Sequence, residues 1–383
     1  MRHHNVELFK LLEGDLNSKV LDELNVRFEK MKSIDIVRTL YTISKNTKRT
    51  QYRNYILNNN WLNRWFQFSS KLIKTFNPRT LSSSIYALSV LSLTPEPEWL
   101  SEWFLTSSDI MANFTPLDLG NVLRSLSMLN IIPDKIWLDK WFYYTQINMN
   151  LFTVDDLTSS IYSLGKMKIK PDSEWLEEWV SRSKPMLSSF NTQHFYFSIY
   201  AFAILKIEPD SEWLEKWFYY TEKIMKLCRD KTLINYMYSL SLLKIKPNSI
   251  WLNKWYLCSQ DLLKNLDVDS ISKVKYAFSI FKISPDRNWS IGLFFDNLED
   301  LNTQELTESI QLYSIDENLS DSNWLTKWFT VTQTKMNQFK SVELVSCFVS
   351  LSSLEINPSK EWLNQWQLSS QKQMESLTPQ DLY

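Results

Sequence analysis

Two series of side chains recur at intervals of 38 residues, shortened once to 35, and could contact the bases of a single-stranded nucleic acid. The first series presents hydroxyl, amide or charged groups, apart from one phenylalanine, and such groups can hydrogen-bond to base edges: Ser83, Asn121, Ser159, Phe197, Asn235, Lys273, Glu308 and Ser346. The second series follows three residues later and is mostly planar: Tyr86, Arg124, Tyr162, Tyr200, Tyr238, Tyr276, Gln311 and Val349. Residues three apart share one helical face, and stacking on a planar side chain contributes about 1–3 kcal/mol per base.

Both series also have a purely structural interpretation. A recurrent tyrosine can pack between helices with its hydroxyl bonded to a backbone carbonyl, and a serine or asparagine can bond to a neighbouring helix. The sequence leaves both interpretations open, because it does not show which surface of the helices is exposed.

A nucleic-acid track also needs lysines or arginines for the phosphates. The insert "KNTKRTQYRN" (45–54) supplies four of them, and the loops before the recurrent prolines supply more: Lys45, Lys48, Arg49, Arg53, Lys166, Lys168, Lys170, Lys206, Lys244 and Lys246. A solvated loop edge is the plain alternative. The chain has 42 basic and 43 acidic residues, so a basic track requires acids such as Glu177, Glu178 and Glu215 to lie on another edge.

No combination of residues indicates catalysis or a metal site. The histidines are His3, His4 and His194, and a surface or packing role suits His194 better than catalysis. Paired cysteine ligands, a glycine-rich phosphate loop and a nucleophile elbow are missing from the sequence. We therefore expect a protein that is not an enzyme and needs no cofactor or metal.

The cysteines and the apolar stretches indicate in which kind of compartment the chain folds. Cys228, Cys258 and Cys347 are odd in number and lack CxxC spacing, which favours reduced, packed thiols in a reducing compartment. No stretch approaches the roughly 20 continuous apolar residues of a membrane span. The N-terminal "MRHHNVELFKLLEGDL" contains early acids, which argues against a secretory signal or a transit peptide.

The elements that carry these residues follow from a tryptophan repeat. Tryptophans recur at 38-residue intervals, with one interval of 35: Trp61, Trp99, Trp137, Trp175, Trp213, Trp251, Trp289, Trp324 and Trp362. A fixed period in the range of 20 to 50 residues indicates a solenoid. The sequence therefore predicts an all-α, right-handed α-solenoid (superhelix) of about nine 38-residue helical-hairpin repeats.

Each repeat divides into two amphipathic helices. The first carries Trp at i and i+4, which we interpret as core between repeats rather than as an exposed stack. Asp172 or Ser173 could cap this helix in one repeat, and Thr153 or Asp155 could cap the second helix. Small residues recur on the second helix and predict a close approach between helices: Ala87, Ser125, Ser163, Ala201, Ser239, Ala277 and Ser350.

The period also predicts the domain organisation. Residues 1–27 form a helical cap, 28–60 a partial repeat with the basic insert, and 61–383 the tandem repeats, which start near 61, 99, 137, 175, 213, 251, 289, 324 and 362. The seventh repeat lacks its second Trp and contains Gly292, so its first helix should be shortened or kinked. The last repeat is incomplete, since "LTPQDLY" (377–383) stops where a second helix should begin. We expect a closing cap beyond it.

The period and two motifs resemble the octotricopeptide repeat family over roughly residues 28–383. The matching stretches are "TPEPEWL" (94–100), "PDSEWL" (171–176 and 209–214), "FTPLDL" (114–119) and "LTPQDL" (377–382). This resemblance implies a helical-repeat protein of an organelle that binds RNA and acts in RNA processing, stability or translation, or in mitochondrial ribosomes. Related arrays occur in FAST-kinase-domain proteins, and some members end in a nuclease-like RAP domain, which is not visible in this sequence.

The leading hypothesis is therefore a non-catalytic protein that binds single-stranded RNA, located by resemblance in the mitochondrion or another organelle, with the cytoplasm as the alternative. A protein-interaction scaffold or ribonucleoprotein subunit is the second hypothesis. The substrate-binding part of a longer nuclease-like protein is the third. None of the three involves a membrane or a small-molecule cofactor.

Overall fold

The computed structural model describes residues 18–46, 49–229, 231–263, 266–282, 298–315 and 322–374. Across these ranges the regular structure is entirely helical, in the tandem-hairpin arrangement of a solenoid, which confirms the predicted fold class. Packing groups the chain into two compact units, Met1–Cys228 and Arg229–Tyr383. No helix in the described ranges is long and apolar enough to cross a membrane.

The first unit contains twelve described α-helices. In chain order they are α1 Ser18–Arg27, α2 Ser33–Lys45, α3 Arg49–Asn58, α4 Trp61–Leu72, α5 Pro78–Val90, α6 Pro97–Ile110, α7 Pro116–Met128, α8 Lys135–Ile147, α9 Val154–Met167, α10 Ser173–Ser183, α11 Thr192–Leu205 and α12 Ser211–Ile224. The second unit contains α13 Thr232–Leu242, α14 Ser249–Leu263, α15 Val268–Phe281, α16 Thr303–Ile315, α17 Ser322–Lys335, α18 Ser341–Ser353 and α19 Lys360–Met374.

The helices alternate between two kinds. We call those with the Trp pair the Trp helices: α4, α6, α8, α10 and α12 in the first unit, and α14, α17 and α19 in the second. Those that carry the polar and tyrosine series, or occupy the equivalent place, are the companion helices: α2, α5, α7, α9 and α11, then α13, α15, α16 and α18.

Caps fix where each helix begins. At the start of α9 the Thr153 hydroxyl accepts a hydrogen bond from the Asp156 N–H, 3.2 Å away, and Asp156 in turn accepts from the Thr153 N–H. The Trp helix α10 begins after Asp172, whose carboxylate accepts from the Trp175 N–H at 2.8 Å. Of the alternatives in the sequence, Thr153 and Asp172 are therefore the caps.

Indole rings hold consecutive hairpins together. Every described tryptophan is buried except Trp366 in the last repeat, which is half-buried. On α8, Trp137 Nε1–H donates to the Ser107 hydroxyl of the preceding Trp helix at 2.9 Å, and Trp141 Nε1–H donates to the Leu119 carbonyl of α7 at 3.1 Å. The interpretation of the Trp pair as core between repeats is confirmed.

The hydroxyl that accepts from the first Trp recurs, although the sequence analysis did not single it out. The acceptors are Ser69, Ser107, Thr145, Ser183 and Thr332, each 30 residues before its tryptophan. A hydroxyl residue eight positions after the first Trp was the signal in the sequence, and it is present in every repeat except the seventh, where residue 297 is Asn. These five indoles thus have a polar partner inside the core, as a buried N–H requires.

Companion helices pack directly against one another within each unit. The small residues predicted at the close approach are buried in both units, among them Ala87, Ser125, Ala201 and Ala277. A Cβ added to Gly165 on α9 would lie 2.9 Å from Ala201 Cα on α11. The predicted close approach is confirmed, and it forces the outward residues of neighbouring companion helices into adjacent rows.

Some predictions fall on residues outside the described ranges. These are residues 1–17 of the predicted cap with His3 and His4, Lys48 of the basic insert, the first helix of the seventh repeat with Trp289 and Gly292, and "LTPQDLY" at 377–383. The predicted division into cap, partial repeat and tandem repeats stays a prediction.

Candidate nucleic-acid interface

The polar series lies on the companion helices at half-buried positions, between the buried core and solvent. Ser83 on α5, Asn121 on α7 and Asn235 on α13 make no side-chain hydrogen bond with other described residues. The Ser159 hydroxyl donates only to a carbonyl of its own helix, that of Asp156, at 3.3 Å. These side chains therefore make no hydrogen bond to a neighbouring described helix.

The remaining members of the polar series differ. Lys273 on α15 pairs with Asp269 and lies 5.9 Å from the centre of the Tyr238 ring. Ser346 on α18 is half-buried, and the side chain of Glu308 lies outside the described residues. The ring of Phe197 on α11 stacks on the ring of Tyr162.

The tyrosine series lies beside the polar series on the same helices. Tyr86, Tyr162, Tyr200 and Tyr238 are half-buried, and Arg124, Tyr276, Gln311 and Val349 are exposed. In the described ranges the hydroxyls of Tyr86, Tyr162, Tyr238 and Tyr276 donate to no backbone carbonyl. These tyrosines are therefore not held as inter-helix hydrogen-bond donors, and each keeps part of its ring surface accessible.

Both series begin one repeat earlier than the sequence indicated. Trp65 Nε1–H on α4 donates to the Ile36 carbonyl on α2. In the next repeat, Trp103 Nε1–H on α6 donates in the same way to the Leu81 carbonyl on α5. Helix α2 is therefore equivalent to α5. Tyr41 and Arg38 on α2 then occupy the tyrosine and polar positions. The basic insert lengthens the interval between Tyr41 and Tyr86 to 45 residues (86 − 41) instead of 38. Counting in steps of 38 therefore does not find Tyr41 and Arg38. A serine three residues after the tyrosine, Ser44 and Ser89 respectively, was the usable signal.

Neighbouring members of the tyrosine series contact each other within each unit. The centres of the Tyr41 and Tyr86 rings are 5.9 Å apart, and Lys45 Nζ donates to the Tyr86 hydroxyl at 2.9 Å. That hydrogen bond raises the pKa of Lys45. In the second unit the centres of the Tyr238 and Tyr276 rings are 5.8 Å apart. The rings of the series thus meet in pairs, Tyr41 with Tyr86, Tyr162 with Tyr200, and Tyr238 with Tyr276.

The loop lysines lie at the carboxyl ends of the companion helices. Lys166, Lys168, Lys170 and Lys206 in the first unit, and Lys244 and Lys246 in the second, are exposed and make no hydrogen bond or ion pair with other described residues. Lys168, Lys206, Lys244 and also Lys282 share a left-handed backbone, with φ of 57°, 53°, 58° and 52°. Glycine or asparagine is the usual residue in this conformation, which strains other side chains.

Two of the basic side chains of the insert make hydrogen bonds within the protein. Arg53 donates from Nε to the Leu91 carbonyl at 2.7 Å and from a terminal nitrogen to the Ser92 carbonyl, so it caps the carboxyl end of α5. Lys45 is engaged with Tyr86. The side chain of Arg49 is not described.

The acids expected on another edge lie on the Trp helices. Glu177 and Glu178 on α10 and Glu215 on α12 are exposed. Other acids there are paired, since Lys184 Nζ lies 2.8 Å from Asp210 and 3.0 Å from Glu212. Asp155 on α9 is an exception on a companion helix, where it contacts His194 at 2.8 Å.

The residues that can titrate or bind metals have structural surroundings. His194 Nδ1 accepts from the Asn191 N–H at 3.2 Å and completes the cap of α11. Cys228 and Cys258 are half-buried, and burial raises the pKa of the buried Cys347 thiol to about 11. The described part of the chain contains no group of three histidine, cysteine, aspartate or glutamate side chains placed to hold a metal ion.

Comparisons with known proteins find one family model that is similar to the central repeats. Residues 56–192 match the family described as Tbc2 translation factor, C-terminal domain. They make up less than half of the chain and contain α4 to α10. No curated protein matches the chain. Among solved structures, a crystal structure of an engineered protein is 11% identical and covers 97% of this chain and 99% of that chain, with a TM-score of 0.25. That score is too low to support an inference, so the central repeats are similar to the translation-factor domain on sequence grounds alone.

Proposed function

We propose that this protein binds single-stranded RNA along the outward face of its companion helices and acts, without catalysis, in RNA processing, stability or translation. The observation that carries the proposal is the contrast between fixed and variable positions. The described Trp positions recur and, apart from Trp366, are buried, whereas Ser83, Asn121 and Asn235 vary, stay accessible and bond to no neighbouring described helix.

The family match supports the proposal independently. Residues 56–192, which are similar to a domain of a translation factor, include three successive members of each series, on α5, α7 and α9. The similarity therefore falls on the segment that also carries the accessible polar and planar side chains. The octotricopeptide repeat assignment and an organellar location, mitochondrion first and cytoplasm as the alternative, remain part of the proposal.

The chemistry of the surface suits a strand with unpaired bases. Hydroxyl and amide groups of the polar series can bond to base edges, and the tyrosines and Arg124 can stack on base faces. The exposed lysines at the carboxyl ends of α9 and α11 can contact phosphates. Because these lysines pair with no other described residue, a strand can contact them without breaking an ion pair in the described part of the chain.

A binding measurement with a randomised single-stranded RNA pool, titrated with salt and followed by sequencing, tests the proposal. We expect retention that falls with salt, with a logarithmic slope of about −0.7 for each phosphate contacted. Replacing Tyr162, Tyr200 and Tyr238 with leucine should weaken retention while the thermal unfolding midpoint stays close to that of the wild type. Absence of retention, or unfolding of the triple variant, would overturn the proposal.

One set of residues favours a second function, that of a ribonucleoprotein subunit. Leu105, Tyr143 and Tyr219 lie at the same position of three Trp helices, six residues after the first Trp, and are 61%, 58% and 53% exposed. Accessible apolar side chains at a repeated position suit a protein partner. Serine at all three positions should leave RNA affinity unchanged. If it abolishes sedimentation with ribosomal particles, the second function is correct.

A further inference from the structure

Four aromatic rings meet on the accessible face of α9 and α11. The Tyr162 and Phe197 rings are stacked, with centres 4.0 Å apart and planes inclined by 21°. The centres of Tyr196 and Tyr200 lie 6.0 and 5.5 Å from that of Tyr162. All four side chains are half-buried. We call these residues the ring cluster.

The ring cluster replaces a hydrogen-bonding position. Phe197 is the member of the polar series where neighbouring companion helices carry Ser159, Asn121 and Ser83. It is not a displaced core residue, because Phe195 and Ile199 on either side of it are fully buried and Phe197 is not. A phenyl ring offers a base edge neither a donor nor an acceptor, so this repeat cannot read a base as its neighbours can.

We propose that the stacked Tyr162 and Phe197 rings form a sequence-independent step in the RNA track, where a base stacks on the rings and its edge is not read. The inference rests on the proposed RNA binding. It adds the position, along the companion helices from α5 to α11, at which the protein does not distinguish one base from another. Stacking tolerates any base, since every base has a π-face. The bound sequence should therefore contain one position without preference beside the position that contacts Ser159.

Burial makes the ring cluster a rigid platform. Desolvation raises the pKa values of Tyr162 and Tyr196, which reflects how far their packed surroundings exclude water. Contacts with Tyr196 and Tyr200 restrict the rotation of the Tyr162 ring. An incoming base therefore meets rings that are already ordered, which reduces the entropy cost of binding.

Three substitutions at residue 197 separate stacking from edge reading, with thermal unfolding measured for each. Phe197→Asn restores the side chain found at residues 121 and 235 and should create a base preference where the wild type has none. Phe197→Leu keeps apolar packing without a ring and should weaken all RNA sequences equally, by roughly tenfold. Phe197→Tyr keeps the ring and should bind as the wild type does.

The register is assigned with Ser159→Asn, which should alter the preference at the adjacent base. In the wild type, 2-aminopurine placed at the next position should lose fluorescence on binding, because stacking quenches it; this measurement needs no substitution. A strong base preference of the wild type at that position, or unquenched 2-aminopurine, overturns the inference while RNA binding stands. Failure of the wild type to retain any RNA overturns both.

Discussion

The Trp helices and the companion helices bury their inner faces equally well, but they differ in what the outer face is free to do. The Trp helices repeat their indoles, and several hairpins repeat the same hydrogen bond, for example from Trp137 to Ser107 and from Trp175 to Thr145. The companion helices repeat small residues on the inside, and their outward positions change from Ser83 to Asn121 to Phe197. The recurring indole hydrogen bonds thus lie on one helix of the hairpin, and the outward positions of the other helix vary.

Removal of an indole from the Trp helices should have the largest effect. Trp141 is fully buried and bonds to the Leu119 carbonyl. Trp141→Ala should lower the free energy of unfolding by about 3–5 kcal/mol, because it leaves a cavity and removes the indole's hydrogen bond. Chemical denaturation of the full chain measures this effect.

The half-buried Trp366 in the last repeat is the matched control. Trp366→Ala should cost clearly less than Trp141→Ala, because the removed ring already meets solvent. Equal losses would show that burial of an indole does not set how much it contributes to the stability of these repeats.

Two serines on different helix types sharpen the comparison at smaller scale. The Ser107 hydroxyl on α6 accepts from buried Trp137 Nε1–H at 2.9 Å, whereas Ser83 on α5 bonds to no described residue. Ser107→Ala should cost about 1–3 kcal/mol, since it leaves the buried indole donor unpaired. Ser83→Ala should change stability by less than about 0.5 kcal/mol and weaken RNA binding. Denaturation and RNA titrations of the two variants, run in parallel, measure these changes in stability and in RNA affinity. If Ser83→Ala loses as much stability as Ser107→Ala, the assignment of Ser83 to the accessible surface is wrong.

The sequence predicts the Trp helices better than it predicts the companion surface, for a physical reason. A buried indole tolerates few neighbours, so its position repeats and can be counted; the helices, the core and the close approach at Ala87 and Ser125 followed from that period. A variable surface lacks such a constraint. Tyr41 was missed because an insertion shifted the count, and the structural use of Arg53 depends on the Leu91 and Ser92 carbonyls, which only the folded chain brings to it.

The smallest effects are expected at the carboxyl ends of the companion helices, where stability and binding should respond separately. Lys168 has a left-handed backbone, with φ of 57°, a conformation that costs an L-residue about 1–2 kcal/mol and glycine almost nothing. Lys168→Gly relieves that strain but loses a favourable cation at a helix carboxyl end and frees the unfolded chain. Stability should therefore stay unchanged or rise by up to about 1 kcal/mol.

RNA affinity should fall in the same variant, and the salt slope should become shallower by about 0.7 for the lost phosphate contact. Ser92→Gly is the matched control, since Ser92 has the same backbone conformation, with φ of 52°, and no charge. It should resemble Lys168→Gly in thermal unfolding and the wild type in RNA binding. An unchanged salt slope in Lys168→Gly would mean that Lys168 contacts no phosphate and only stabilises the carboxyl end of α9. The RNA-binding surface would then consist of the polar and tyrosine series alone.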